Sequence, residues 1–295
     1  MTTVTAPSSA PNGVPRRVSR WLDRHPRVKL GGLLSGPVAW LLVAYIGSLI
    51  ALLINAFYHV DPFTSAVVRT FGTDNFHRLV TDKVYRQVTV RTIGVAAGVT
   101  FIDLAIAIPI AFFMAKVASN RVRTAMYVGV LMPLWASYLV KAYAWRAFLD
   151  PVSGVLTKTF GFTPGFSLGG TILVLAYLWL PYMILPIYAG LERLPNSLLE
   201  ASADLGGKTG RTFRSIVVPM LFPAIIAGSI FTFSLSMGDY IAVKIVGGTT
   251  QMIGTVVYDN VGVDLPFSAA MTTIPVIIMI LYLLGVRRTG ALENL

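Results

Sequence analysis

The sequence predicts an all-α membrane protein with six transmembrane helices, and three observations lead there. The 295 residues are 55% hydrophobic and only 13% charged, with a mean hydropathy of +0.71, whereas soluble domains carry about a quarter charged residues. The charges collect between apolar runs. Those runs reach the ~20 residues needed to cross the hydrocarbon core of a bilayer. One membrane domain thus takes up nearly the whole length, leaving no room for a soluble catalytic domain.

Residues 1–15 are small, polar and proline-rich, a composition that favours disorder. Arg16, Arg17, Arg20, Arg24, Arg27 and Lys29 follow, so 1–32 reads as a basic arm. The next apolar run is too long for the core of a cleaved signal peptide and is taken as an uncleaved first span. Spans are expected at about 33–57, 93–117, 124–147, 168–191, 217–237 and 268–286, together forming a membrane domain over 33–288, with a short tail at 289–295. Pro109, Pro133, Pro181, Pro186, Pro223 and Pro275 fall inside spans, where each removes a helix hydrogen bond and permits a kink. Gly94 and Gly98 form a pair of small residues suited to close helix packing.

Six spans place both termini on one side, and lysine and arginine mark the cytoplasmic face. The two termini and the loops at 116–123 and 192–216 carry fifteen of them, against seven in the opposite loops. Both termini and the 192–216 loop are therefore expected in the cytoplasm. The 58–92 loop runs against this with five positives, but it is long and also holds Asp61, Asp74 and Asp82. The net charge of +11 is explained by orientation and contact with anionic lipid headgroups, and no nucleic acid is expected as a partner. Cysteine is absent, which excludes disulfides and thiolate metal sites.

The loop at 195–219 is the most informative stretch. Ser197 and Glu200 are spaced as a capping box at a helix start. Leu198, Ser202 and Leu205 then share one face, with Leu199 beside them. Gly206, Gly207 and Gly210 interrupt the helix and allow a turn. A second short helix from about Thr212 leads into Ile216 and Pro219. Read physically, this is a helix-turn-helix lying on the membrane surface. It suits the docking of a partner, or it is simply a capped helix followed by a turn.

The spacing goes further. Glu200-Ala201-Ser202, three residues, Gly206, nine residues and Ile216-Val217-Val218-Pro219 resemble the EAA loop of binding-protein-dependent ABC importer permeases of the type I fold. Ser202 stands where that pattern has alanine, and Val218 where it has leucine. The segments Asp74 to Thr92, Met132 to Trp135, Val140 to Trp145, and Ser236 to Tyr240 with Gly247 and Gly248 are similar to the spermidine/putrescine-type subgroup. Lys141 stands where arginine is expected, and residues 241–245 depart from the subgroup pattern, so the solute is left open between a polyamine and something else.

The resemblance implies a transport subunit in a prokaryotic plasma membrane, not an enzyme. It would pair with a second permease subunit, homologous rather than identical. Two cytoplasmic ABC ATPase subunits would bind ATP and magnesium and dock on the loops, this chain holding no cofactor. An extracytoplasmic solute-binding protein would deliver the solute. Glu200, Ala201 and Gly206 would form the coupling core, with Ser202 beside them, and Leu205, Ile216 and Pro219 would pack the loop against the bundle. The competing reading is an ion-coupled secondary transporter, for which an intramembrane acid such as Asp103 would be central.

Candidate pathway residues are Asp103, Trp135, Tyr138, Asp239 and Tyr240. Acids within or beside spans are functional suspects, and aromatic rings bind cationic amines through their faces. Lys141, Arg146 and Lys244 read as interface anchors or internal partners. Gly207-Lys208-Thr209 matches the end of a phosphate-binding loop, but Ser202 occupies the position of the required upstream glycine. His25, His59 and His77 lack ligand spacing.

Overall fold

The computed structural model describes residues 26–288; the tail and most of the basic arm lie outside them. Contacts divide the chain into two units, residues 1–54 and 55–295. In the first, helix α1 runs from Pro26–Leu41 through a π-turn at Leu42–Gly47 into Ser48–Asn55, its last residue belonging to the second unit.

The second unit begins with a two-stranded hairpin, β1 (His59–Val60) and β2 (Val67–Val68), paired antiparallel with Val60 opposite Val67. The short helix α2 (Asp74–Thr81) follows. Five helices come next: α3 (Lys83–Val117), α4 (Asn120–Trp135), α5 (Tyr138–Phe148), the short α6 (Val155–Phe160) and α7 (Leu168–Arg193). Then come α8 (Asn196–Asp204), α9 (Thr209–Gly238), α10 (Ile241–Val246), α11 (Ile253–Asn260) and α12 (Leu265–Arg287).

Polar residues set where the long helices start. Asp82 accepts the Val84 N–H at 2.8 Å and opens α3, Ser167 accepts the Gly170 N–H at 3.3 Å and opens α7, and Asp264 accepts the Phe267 N–H at 3.0 Å and opens α12. Each satisfies a backbone donor that the helix itself leaves free. Asp150 organises the turn before α6 in the same way. The N–H groups of Ser153 and Val152 hold its carboxyl below the usual carboxylate range, so what it adds to stability is present at neutral pH and is lost as pH falls.

Helices α3, α7 and α9 pack on one another to form the centre of the bundle. The buried face of α3 carries Val88, Thr92, Val95, Val99, Asp103, Ala107 and Ala111, a helical repeat of three and four. Helix α7 contributes to two apolar clusters. One joins Val95 and Val99 of α3 to Val174, Leu178, Val243 and Met252. The other joins Ala107 and Met114 to Met183, Ile187, Val217 and Leu221. In lipid such packing rests on close approach rather than on escape from water. Gly190 supplies it, since a Cβ there would lie 2.9 Å from Ala224 Cβ. Gly94 and Gly98 do not, because among the described residues a Cβ added at either would meet no neighbouring element within 4 Å; they sit away from the packed face of α3.

Three expectations need correction. The third span, expected over 124–147, is broken into two helices: α4 and α5 meet at 97°. Pro133 is accommodated inside α4, and the break falls at Ala136, which is extended, and Ser137, which lies outside the helical region. The break strips the Pro133 carbonyl of its helical donor, and the Lys141 ammonium replaces it at 2.9 Å. Secondly, no capping box forms at Ser197. Helix α8 starts at Asn196 with Pro195 as its cap residue, which puts Ser197 inside the first turn and Glu200 in the second, beyond reach of the free N–H groups. Finally, the second helix of the loop begins at Thr209 and runs without interruption into the fifth span, through a π-turn at Phe213–Val217.

Candidate functional site

Two places concentrate the candidate functional residues, at opposite ends of the bundle. The first is the α8–α9 hairpin. Helix α8 closes with Gly206 at φ +74°, a conformation that side chains with a Cβ disfavour. The Gly206 N–H donates to Ala203 O at 2.9 Å and the Gly207 N–H to Ser202 O at 2.8 Å, the paired bonds of a Schellman turn. The Ser202 and Thr212 hydroxyls lie 2.6 Å apart across the hairpin. An alanine at 202 has no group to make that link, so the departure from the family pattern carries a structural consequence.

The tip of the hairpin is open. Glu200 and Ala201 are exposed, and among the described residues the Glu200 carboxylate has no hydrogen-bond or ion-pair partner. Leu205, expected to pack against the bundle, is 89% exposed. It follows the last helical residue of α8, where the chain turns away from the protein. Leu199 packs on the core in its place. Ile216 is half-buried, its neighbour Val217 is buried, and Pro219 borders a groove of about 450 Å³ with Gly190, Arg193, Pro223 and Ala224.

The roots of the hairpin are held. Lys116 Nζ donates to Leu194 O at 2.6 Å and to Asn196 Oδ1 at 2.9 Å. Phe112 packs edge-on against Phe213, centroids 6.2 Å apart. Neither pairing was legible in the sequence, since 78 and 101 residues separate the partners.

The second place is a cleft at the far end. Tyr138 donates its hydroxyl hydrogen to Asp239, whose other oxygen accepts the Ala242 N–H at 3.0 Å. The Tyr138 ring stacks on Trp179 at 6.0 Å. Tyr240 stacks on Tyr258 at 4.7 Å and 17°. Lys244 pairs with Asp259, and its ammonium lies 4.6 Å from the centre of the Tyr258 ring. A cavity of about 330 Å³ opens between Tyr138, Trp179, Asp239 and Tyr240, and one of about 390 Å³ lies beyond Tyr240, against Ile253 and Tyr258.

Of the five candidate pathway residues, Tyr138, Asp239 and Tyr240 come together here. Trp135 does not; it is 89% exposed at the end of α4. Asp103 is fully buried on the packed face of α3, with neither oxygen finding a partner among the described residues, and does not line the cleft. Trp179 and Tyr258 complete the site. Trp179 has the composition of an interface aromatic, and nothing in the sequence separates it from the others. Tyr258 reaches Tyr240 only because the chain folds back after α10. Arg146 donates to the Ile245 carbonyl and covers the Phe166 ring at 4.6 Å, holding the end of α10.

Residues 104–288, well over half of the chain, match the family described as binding-protein-dependent transport system inner membrane component. The chain belongs to this family. It is a multi-pass ABC importer permease subunit, and the ion-coupled carrier is set aside. The permease is 40% identical to the inner membrane ABC transporter permease protein YdcU of Escherichia coli (strain K12), over 95% of each chain. It is 31% identical to the spermidine/putrescine transport system permease protein PotB of the same strain, over 87% of this chain and 96% of that one. The solved structure of a bacterial ABC transporter involved in the import of the acidic polysaccharide alginate superposes with a TM-score of 0.71 at 16% identity, covering 92% of this permease and 99% of that chain. The MetNI methionine ABC transporter in inward-facing conformation gives 0.53 at 15% identity, covering 69% and 93%. At such identities these two structures speak for the type I importer fold and not for the solute.

Proposed function

We propose that the permease and a second, homologous subunit line the membrane pathway of an ATP-driven importer in a prokaryotic plasma membrane. Both termini and the α8–α9 hairpin face the cytoplasm. Each hairpin docks on one of two cytoplasmic ATPase subunits, which bind the ATP and magnesium, and an extracytoplasmic solute-binding protein delivers the solute to the cleft. The observation that carries this reading is the form of the hairpin: roots clamped to the bundle, and an unpartnered tip presenting Glu200, Ala201 and Leu205. A rigid lever with a free, partly apolar end transmits force from a partner that binds it differently in two states.

The solute is a small cationic amine of the spermidine/putrescine type. Support comes from a relative of that name and from a cleft in which one acid, Asp239, sits among Tyr138, Trp179 and Tyr240. Aromatic faces beside a carboxylate suit an ammonium ion. The test is uptake of labelled spermidine into proteoliposomes holding the complete importer and its binding protein. Uptake is expected to require internal ATP and to be competed by putrescine. Uptake that proceeds without the ATPase contradicts the energy coupling, and competition by an anion instead of a diamine contradicts the solute class.

A further inference from the structure

Helix α3 reaches both of these places, the hairpin and the cleft. At the hairpin end its last turn is a π-turn, closed by the Ala118 N–H donating to Phe113 O at 2.8 Å. A π-turn inserts one residue and leaves carbonyls without their usual donors, and such turns concentrate at functional sites. Arg123 takes up two of these carbonyls, donating from Nε to Met114 O at 3.0 Å and from Nη2 to Ala115 O at 3.3 Å. The same turn carries Lys116 to the α7–α8 junction. There it meets a carbonyl at a helix end and the side chain of the first α8 residue. One turn earlier, Phe112 touches Phe213 in the π-turn at the root of α9. The end of α3 therefore brackets both roots of the hairpin.

At its other end α3 holds the loop beside the cleft. Thr92 Oγ1 accepts the Ile253 N–H at 3.0 Å, and Arg91 Nη1 donates to Gln251 O at 3.4 Å. Ile253 lines the cavity next to Tyr240 and Tyr258. From Thr92 to Lys116 the helix spans about 36 Å at 1.5 Å per residue.

We infer that Lys116 is the positioning residue that passes hairpin movement to α3, and through α3 to the Ile253 side of the cleft. The inference rests on the hairpin being the ATPase dock. The hairpin is covalently joined only to α7 and α9; Lys116 ties it to a third helix by a charged donor with two acceptors on adjoining elements. Removing that tie leaves the Schellman turn, the Ser202–Thr212 link and the exposed tip in place. Docking should therefore survive, and only transmission should fail.

The test uses the complete importer carrying Lys116→Met, reconstituted with its binding protein and a saturating diamine. ATPase co-purification and basal ATP hydrolysis are expected at wild-type levels. Stimulation of hydrolysis by the loaded binding protein, and uptake, should fall about ten-fold, within the usual range of coupling between linked sites. Lys116→Arg should restore part of the loss. Asn196→Leu should reduce stimulation less, and adding it to Lys116→Met should cause no further loss, because the two remove one interaction. Wild-type stimulation in Lys116→Met, strictly additive losses, or loss of ATPase co-purification would each overturn the inference. Should Lys116→Met fail to insert, unchanged stimulation in Asn196→Leu overturns it alone. The Gly206→Val variant reads the docking itself, so failure there is seen separately.

Discussion

Gly206→Val is expected to reduce uptake by the assembled importer to background while the chain still inserts in the membrane at normal levels. Gly206 sits at φ +74°. Holding an ordinary residue in the left-handed region costs roughly 1–2 kcal/mol, and a β-branched one is a true outlier there. Valine drives the backbone out of this region, and the two Schellman hydrogen bonds and the Ser202–Thr212 contact cannot all persist. The hairpin then presents Glu200, Ala201 and Leu205 along a different direction. The spans are untouched, because neither packed cluster includes Gly206 or its neighbours in the turn. Gly206→Asn provides the internal control: asparagine tolerates this conformation and should retain much of the uptake. The measurement is uptake and solute-stimulated ATP hydrolysis side by side. Normal values of both in Gly206→Val would remove the hairpin from the coupling scheme.

The second large effect is expected at the cleft. Asp239→Asn keeps the shape of the side chain and an oxygen to accept the Ala242 N–H, so α10 should stay in place. It removes the negative charge that sits at the edge of the cavity between Tyr138, Trp179 and Tyr240. A hydrogen bond to a charged partner contributes about 1.5–3 kcal/mol. The apparent KM for a diamine should therefore rise ten-fold or more, with unchanged protein level and thermal stability. Trp135→Phe, on a ring that is 89% exposed outside the cleft, should change little. An unaltered diamine KM in Asp239→Asn would place the solute elsewhere.

The spans could be read from the sequence because lipid imposes a length and excludes charge, and both constraints are local. The turn at Gly206 could be read as well, since glycine at that spacing is tied to a backbone conformation. Interactions between distant segments could not. Pro133 gave a reason to expect a kink, yet the 97° bend falls three to four residues later, at Ala136 and Ser137, and Lys141 reaches back to the stranded Pro133 carbonyl. The helix start at Asn196 was hidden by Ser197 and Glu200, whose spacing suits a capping box. Asn196 instead takes a hydrogen bond from Lys116, 80 residues away. In the cleft, Tyr138 and Asp239 were each suggested by residue type, but their hydrogen bond joins residues 101 positions apart, and the Tyr240–Tyr258 stack depends on how the chain returns after α10. Asp103 shows the converse. Its position in a span marked it as a pathway acid, while its place on the buried α3 repeat, among Val99 and Ala107, removes it from the cleft.

The natural absence of cysteine allows the central claim to be tested with one reporter. Ala201→Cys, at an exposed position of α8, can be modified with a short thiol reagent carrying a photoactivatable group in membranes containing the whole importer, and then illuminated. The expected product is a covalent adduct with the ATPase subunit whose yield changes when ATP is bound, together with protection from thiol reagents applied outside intact cells. Labelling from the outside, with no ATPase adduct under either condition, would contradict the account.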